Sequence, residues 1–323
     1  MVLPDDPEIG VAEDRRVRGV VDRHDRIGLL DARDVLDRPR HPGGDVNLRP
    51  DGLAGLADLP GVLGDPFVDD GAAAAPSDLK GCDIVVITAG VPRRAEMTRA
   101  DLLMINAKIV RDVVENIKTY SPNAIILVVS NPLDVMNYVT HRLTGWDRNR
   151  IIGMAGALDS SRMAYQIHKK LGFGAGQMRA MVIGEHGEKM IPYPEISSVG
   201  GVPLKQLLSQ EEMDEISART NEGGAEIVKY LKTSAYYAPG RSIAKMVEAI
   251  LDDSRIVISS SVLLEGEYGH SDVCIGVPVV LGAGGVERII ELDLDDTKRA
   301  LFDDSVAAVK ENISILRDNS FFG

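Results

Sequence analysis

The sequence is poor in the features that mark secreted, membrane-spanning or disulfide-stabilised proteins. Its 323 residues include only two cysteines, Cys82 and Cys274, and both lie in apolar runs. A disulfide framework is therefore excluded, and a reducing compartment is favoured. No apolar run reaches the roughly 18 residues of a membrane-spanning helix, and the amino terminus MVLPDDPEIG has neither segment of a secretory signal. We expect a cytoplasmic protein that has no membrane partner.

Positive charge is also scarce. The chain has 36 lysines and arginines against 49 aspartates and glutamates, which gives a formal net charge of −13. This balance makes nucleic acid and anionic membranes poor partners, although local basic residues can still bind a small anion. None of the six histidines has the spacing to cysteines or carboxylates that a metal site requires, so we expect no metal.

The first 79 residues lack whole residue types. They contain no Lys, Thr, Gln, Tyr, Trp or Cys, but they carry 8 of the 16 prolines. Their glycine-rich stretch RPDGLAGLADLPGVLGDP has G-x-x-G spacings, and G-x-G is absent from residues 1–79. A phosphate-binding turn of the G-x-G-x-x-G type is therefore missing. We regard residues 1–78 as aberrant: they are disordered, read from a wrong frame of the gene, or divergent.

From Lys80 onward, strand-like runs alternate with helical spacing. CDIVVITAG and PNAIILVVSNPLD are short apolar runs that predict buried parallel strands, and NRIIGMAG predicts a third. This order predicts an α/β fold with a Rossmann-like doubly wound parallel sheet, whose N-terminal part is atypical or incomplete. Such sheets bind ligands at the carboxyl ends of their strands, where residues 88–90 and 130–134 lie.

The second half of the chain predicts a C-terminal α+β substrate domain. Short strands surround a histidine, and an amphipathic helix over 211–232 is interrupted by Gly223 and Gly224. Strand-like runs with glycine turns after residue 255 predict an antiparallel sheet, and a long amphipathic helix ends the chain. We place a dinucleotide-binding domain at 1–155 and a substrate and catalytic domain at 156–323.

Three residues of the second half are candidates for chemistry. His186 in IGEHGEKM has a glycine on either side, which allows a sharp turn or a close approach to a ligand, and histidine suits proton transfer. A hydrogen-bonded structural histidine is an equally weighted alternative. Asp159 and Arg162 share a face if ALDSSR begins a helix, so they could orient a histidine and grip a carboxylate. Taken alone, they are better explained as a helix cap and a surface arginine.

Cations and an amide follow two of the predicted strands. Arg93, Arg94 and Arg99 come after the first strand and suit an anionic substrate with two carboxylates; a solvated basic loop is the alternative. Asn131 ends the second strand before a proline, where its amide can donate and accept hydrogen bonds. A turn-forming Asn-Pro pair is the commoner explanation of this motif.

Taken together, these motifs resemble a known family. ITAGVPRRAEMTRADLL, VVSNPLDVM, LDSSR, IGEHGEKMIP, KTSAYYAP and DVCIGVPVVLGAGGVE follow one another as in the NAD-dependent lactate and malate dehydrogenase family, from about Lys80 to the C-terminus. The resemblance implies that His186 is the proton donor and acceptor and that Asp159 is its carboxylate partner. It implies substrate contacts for Arg99 and Arg162, and it places Asn131 against both nicotinamide and substrate. The cofactor contacts that it implies, besides Asn131, are Ala89, Gly90, Asn106, Val129 and Ser130.

The resemblance also implies the substrate. Arg93 stands where the family separates its lactate and malate enzymes, and an arginine there pairs with a second carboxylate. It therefore implies the malate branch, in the subtype close to lactate dehydrogenases, with malate or oxaloacetate as substrate and NAD as cofactor. A place in the tricarboxylic acid cycle and a homodimer or homotetramer are implied as well.

Two alternatives stay open. The substrate could be lactate or another 2-hydroxy acid, or the chain could be a catalytically dead relative without a cofactor loop, with a structural or assembly role. For the family's ribose-binding carboxylate, the sequence offers one weak candidate, Asp31 in DRIGLLDARD. Arg241 in YYAPGRSI stands where the family has small residues.

Overall fold

The computed structural model describes residues 17–22, 27–31, 75–92, 97–231 and 235–323. Its strands are β1 (Val17–Asp22), β2 (Ile27–Asp31), β3 (Ile84–Ile87), β4 (Ile125–Val128), β5 (Ile151–Gly153), β6 (Met178–Arg179), β7 (Val182–Gly184), β8 (Met190–Pro192), β9 (Ser198–Val199), β10 (Val202–Pro203), β11 (Ile256–Glu265), β12 (Ser271–Gly282) and β13 (Gly285–Ile289). Ten of them form one sheet in the order β2-β1-β3-β4-β5-β11-β12-β7-β8, with β13 paired to β12. The other three form a small sheet in the order β10-β9-β6.

The helices pack on this sheet. They are α1 (Arg99–Tyr120), α2 (Leu133–Thr144), α3 (Ala155–Leu171), α4 (Gln210–Leu231), α5 (Tyr237–Leu251) and α6 (Asp296–Asp318), joined by short 3-10 turns. Thr98 and Asp101 form a capping box at the start of α1, and Gly145 ends α2 in the left-handed conformation. Among the described helices, none combines the length and apolarity needed to cross a bilayer.

The first part of the sheet is parallel, as the sequence predicts. β1, β3, β4 and β5 pair in parallel, and every residue of β3 and β4 is buried. Helix α2 is buried along residues 133–141, because it lies between the sheet and the helices α1 and α6. The second part is antiparallel, since β11 pairs with both β5 and β12. The prediction of a Rossmann-like sheet followed by an α+β part is confirmed; the boundary near residue 155 stays a prediction.

The sequence prediction for α4 is wrong in one respect. Gly223 and Gly224 do not interrupt the helix, which runs without a break from Gln210 to Leu231. Two glycines cost a helix interior about 1 kcal/mol each relative to alanine. The packing of α4 on α3 compensates for this cost, and a second apolar cluster, separate from the main core, joins the two helices through Met163, Ile167, Met213 and Ile216.

The candidate ribose-binding carboxylate is also contradicted. β2 runs antiparallel to β1, and Asp31 pairs with Arg18 near the start of β1. Since β1 is parallel to β3, Asp31 lies at the amino-terminal edge of the sheet, opposite to the ligand-binding edge. Apart from β1, β2 and residues 75–78, the prediction that residues 1–78 are aberrant concerns a segment outside the described residues.

Candidate active site

His186 follows β7 in a tight turn. Gly184, the last residue of β7, has φ 88° and faces Gly276 of β12 so closely that a Cβ on Gly276 would lie 2.6 Å from the Gly184 carbonyl oxygen. Only glycine fits both requirements. The turn holds the His186 side chain in a largely enclosed position, with 15% of its surface exposed. Of the two glycines that flank His186, Gly184 is therefore required by the backbone turn and by the close approach of β12. Gly187 has an ordinary φ.

Asp159 links His186 to Arg162. The Asp159 side chain projects from α3 and is 2% exposed; its Oδ2 lies 2.7 Å from His186 Nδ1, and its Oδ1 accepts from Arg162 at 3.0 Å. Asp159 is therefore a buried residue inside a helix. The alternative of a helix cap and a surface arginine is wrong for both residues, because only 14% of the Arg162 side chain is exposed.

The charges around His186 favour its protonated form. Burial lowers the pKa of His186, but the Asp159 carboxylate raises it through its charge and its hydrogen bond, and the charge of Asp134 raises it further. The charge of Arg162 lowers it by a smaller amount. The net result is a pKa above the ordinary histidine value of 6.5. Such a ring can take up a proton during a reaction and hold it near neutral pH.

Arg162 has unused binding capacity. Its Nε is buried and makes no hydrogen bond within the described part of the chain. Across the gap to α4, its guanidinium lies against Gly224, where a Cβ would be 3.5 Å from Nη1. A buried guanidinium donor without a partner is costly unless a ligand completes it. A carboxylate is the ligand that matches the planar donors of arginine.

Two loops at the carboxyl edge of the sheet are joined by Asn106. This side chain is 2% exposed: its Oδ1 accepts from the Val91 amide at 2.8 Å, and its Nδ2 donates to the Asn131 carbonyl at 2.7 Å. Gly90 has φ 153°, and a Cβ there would lie 3.3 Å from Asn106 Oδ1. The backbone after β3 therefore lies directly against the residue that fixes the backbone after β4.

The remaining predicted cofactor contacts lie in the same two loops. Ser130 Oγ donates to the Ala89 carbonyl, and the Val129 amide donates to Ile87 at 2.8 Å. The Asn131 side chain is exposed and makes no hydrogen bond in the part of the chain that the structure describes; its peptide bond to Pro132 is cis. This amide can therefore donate and accept hydrogen bonds with a ligand at this edge of the sheet.

Of the three predicted arginines of the first loop, the structure describes Arg99 alone. Arg93 and Arg94 lie outside the described residues. Arg99 begins α1, and its guanidinium pairs with Glu188 at 3.3 Å, with 69% and 86% of the two side chains exposed. Glu188 is two residues after His186, so Arg99 lies beside the histidine turn and not within the buried cluster.

One residue of the site was not a candidate. Asp134, in the first turn of α2, accepts a hydrogen bond from the His186 backbone amide at 2.7 Å. It thereby connects the loop that carries Asn131 with the turn that carries His186. The sequence placed Asp134 at the correct edge of the sheet, but its contact spans 52 residues of chain and depends on how the two halves pack.

Comparisons with known proteins identify the family of both halves of the chain. The family model for the lactate/malate dehydrogenase NAD binding domain matches residues 66–153. The model for the alpha/beta C-terminal domain of the same family matches residues 156–318. His186, Asp159 and Arg162 lie within the second match, and both loops joined by Asn106 lie within the first.

Individual relatives are similar over about three quarters of the chain. A malate dehydrogenase of Sulfurimonas denitrificans is 56% identical over 247 residues, which cover 76% of this chain and 77% of the relative. A malate dehydrogenase of Nitratiruptor is 53% identical over 78% of this chain and 79% of its own length. Among solved structures, the malate dehydrogenase of Aeropyrum pernix superposes with a TM-score of 0.71 at 44% identity, over 74% of this chain and 78% of that chain. The lactate dehydrogenase of Cryptosporidium parvum, complexed with lactic acid and NAD, superposes with a TM-score of 0.71 at 39% identity, over 75% and 78% of the two chains.

Proposed function

Because this chain belongs to the lactate/malate dehydrogenase family, we propose that it catalyses the reversible NAD-dependent oxidation of (S)-malate to oxaloacetate. The observation that carries the proposal is the buried chain of contacts from His186 through Asp159 to Arg162. It places a proton acceptor, a carboxylate that orients it and an incompletely bonded guanidinium in one enclosed position. Similarity to several malate dehydrogenases supports the choice of reaction.

His186 carries the proton in this proposal. With Nδ1–H donating to Asp159 Oδ2, the neutral ring presents its free Nε2 to the hydroxyl group of malate. His186 takes the hydroxyl proton in the oxidation direction, and Asp159 stabilises the resulting imidazolium. The raised pKa of His186 means that the reverse reaction begins with a ring that already carries its proton near neutral pH.

Arg162 and Arg99 bind and polarise the substrate. The buried Nε of Arg162, together with the rest of the guanidinium, donates hydrogen bonds to the carboxylate next to the reacting carbon. Arg99 leaves its exposed contact with Glu188 to approach the carbonyl oxygen. An exposed ion pair of this kind is worth about 0–1 kcal/mol, so a substrate can displace it at little cost.

The described residues fit the nicotinamide end of NAD. Asn106, Ser130 and Asn131, with the backbone of residues 89–90 and 129, would hold it between the two joined loops. When bound, NAD supplies the acceptor of the hydride that leaves the malate carbon. The protein contributes orientation and electrostatic stabilisation around that carbon.

Arg93 selects a dicarboxylate in this proposal. Its cation pairs with the second carboxylate of malate, whereas the methyl group of lactate would leave the cation unpaired, at a cost in binding free energy.

The two family matches, which meet between residues 153 and 156, support our division into a cofactor domain at 1–155 and a catalytic domain at 156–323. We further propose a cytoplasmic homodimer or homotetramer that serves the tricarboxylic acid cycle; size-exclusion chromatography with light scattering tests the assembly.

Steady-state NADH oxidation tests the reaction. We expect the purified chain to turn over oxaloacetate with a kcat/KM at least 100-fold above that for pyruvate, and Arg93→Gln to reduce this ratio. Faster turnover of pyruvate than of oxaloacetate would show that the protein is a lactate dehydrogenase and not a malate dehydrogenase. Absence of turnover with both substrates, together with no NADH binding by calorimetry, would identify a catalytically dead relative.

A further inference from the structure

Asp134 makes an unusual contact for a carboxylate in the first turn of a helix. Such a side chain commonly accepts from the free amides of its own helix. Asp134 Oδ2 accepts instead from the backbone amide of His186, at 2.7 Å. The residue is 4% exposed, and its Oδ1 makes no hydrogen bond within the described residues. A buried carboxylate is costly unless neighbouring groups stabilise its charge, so its contacts are informative.

Two carboxylates therefore hold His186 from two helices. Asp159 on α3 fixes the imidazole ring at Nδ1, and Asp134 on α2 fixes the backbone amide of the same residue. The ring contact defines the rotation of the side chain, but it does not define where the Cα atom lies. The amide contact supplies this second restraint, and it connects His186 to the loop that carries Asn131.

The charges that surround this pair come from several elements. His186 is near Asp159 and Arg162 of α3 and Asp134 of α2. Asp134 in turn is near Glu185, whose charge raises the pKa of Asp134, and the Ser261 side chain of β11, whose hydrogen bond lowers it. A further neighbour of Asp134 is the buried Cys274 thiol of β12, whose pKa is raised by burial and also by the charge of Asp134. Burial raises the pKa of Asp134 to about 6, so the carboxyl group is largely ionised at neutral pH.

We propose that Asp134 is a positioning residue for His186, which holds the backbone of the histidine turn and adds a second negative charge that stabilises the imidazolium. It touches neither substrate nor cofactor and acts through the histidine alone. The effect of Asp134 on catalysis rests on the proposed function. The charge interaction between Asp134 and the His186 ring does not depend on whether malate is the substrate.

The test compares two variants at Asp134 by NMR titration of histidine-labelled protein, with the His186 signal assigned by its loss in His186→Gln. Asp134→Asn keeps an oxygen that accepts from the His186 amide but removes the charge. We expect the pKa of His186 to fall by about 0.5–1 unit in this variant. Asp134→Ala removes both the accepting oxygen and the charge. We expect the same fall in the His186 pKa, together with a loss of kcat. In the active protein, the pH profile of kcat/KM for oxaloacetate shifts by the same amount.

Asn137→Ala is the matched control. Asn137 is fully buried one turn further along α2 and donates to the Ser261 carbonyl at 2.8 Å, so this variant disturbs the same helix and strand without touching His186. We expect a lower melting temperature and an unchanged His186 pKa. The proposal is overturned if Asp134→Asn is folded and leaves the His186 pKa unchanged, or if Asn137→Ala shifts it equally.

A measurement on the unmodified protein guards against variants that do not fold. The His186 backbone amide donates to Asp134 Oδ2 and should therefore exchange its hydrogen slowly in the wild type. Fast exchange of this amide would also overturn the proposal. Because the NMR readout requires no turnover, its failure can be told apart from a failure of the proposed reaction.

Discussion

In the proposed mechanism, Asp159 couples proton transfer to substrate binding, because its carboxylate contacts both His186 and Arg162. We expect Asp159→Asn to reduce kcat/KM for oxaloacetate by about 100-fold or more, since it removes the charge that stabilises the imidazolium and the partner of Arg162. The raised pKa of His186 keeps the proton-donating form present to higher pH. As pH rises, the variant should therefore lose its activity at a lower pH than the wild type does.

Initial rates of NADH oxidation between pH 6 and 9 check this expectation. Asp303→Asn is the control, because Asp303 is a half-exposed carboxylate that pairs with a different histidine, His270. An Asp159→Asn enzyme that retained wild-type kcat/KM and pH dependence would contradict the assignment.

At the scale of single residues, the sequence predicts the chemical identities better than their surroundings. His186 was a candidate because glycines flank it, and Asp159 and Arg162 because of their spacing and the family resemblance. Their burial could not be predicted, since it is produced by packing of α3 against α4 and β7. Asp134 was missed for the same reason: nothing local distinguishes it from an ordinary acidic residue in the first turn of a helix.

At the scale of elements, the glycine pair of α4 makes room for Arg162. A Cβ on Gly224 would be 3.5 Å from Arg162 Nη1, which is an ordinary contact. Alanine therefore fits, and we expect Gly224→Ala to increase the free energy of unfolding by about 0.5–1 kcal/mol through its better helix propensity. Leucine does not fit, and we expect Gly224→Leu to displace Arg162 and raise KM for oxaloacetate at least tenfold.

Urea denaturation and steady-state kinetics measure these two effects. Gly240→Leu is the matched control, since Gly240 lies in α5 and a Cβ there meets no atom within 4 Å. We expect its kinetics to equal those of the wild type. A Gly224→Leu enzyme with unchanged KM would show that Arg162 does not depend on the space beside Gly224.

Helix α1 positions the cofactor loops through one side chain. In Asn106→Ala, the Val91 amide and the Asn131 carbonyl lose their partner. We expect the free energy of unfolding to fall by about 1–3 kcal/mol and the KM for NADH to rise, because the two loops are no longer joined. Asn116→Ala, in the same helix, is the control, because Asn116 is partly exposed and its Nδ2 donates to the Asp112 carbonyl of its own helix. Equal effects of the two substitutions would refute the role of Asn106.

At the scale of the whole molecule, the predictable part coincides with the part that has regular hydrophobic periodicity. The buried runs of β3 and β4 and the long helices α1 and α6 could be located from the sequence, because their burial imposes a repeating pattern. Residues 1–79 have no such pattern. The antiparallel pairing of β1 with β2 joins two strands that are adjacent in the sequence, and the composition of residues 1–79 does not reveal it.

Two buried groups give the whole molecule opposing responses to acid. The pKa of His141 is lowered to about 4, because burial and the charge of the nearby Arg148 outweigh a hydrogen bond with the Ile151 backbone that raises it. Since the unfolded chain binds this proton near pH 6.5, the His141 contribution to stability is lost as pH falls from about 6.5 to 4. Asp134 has the opposite effect: its pKa is raised from 3.8 to about 6, so its proton stabilises the fold as pH falls below 6.

Removing His141 should therefore leave the stabilising response of Asp134 unopposed. We compare the unfolding free energy of His141→Leu with that of the wild type at pH 7.5 and at pH 5. On going to the lower pH, this difference should change by about 2 kcal/mol in favour of the variant, because one pKa unit corresponds to about 1.4 kcal/mol. Urea denaturation at the two pH values measures the difference. His168→Leu, which removes a less buried histidine from another helix, is the matched control. Equal losses of stability in His141→Leu and the wild type would show that His141 takes up its proton without unfolding the chain.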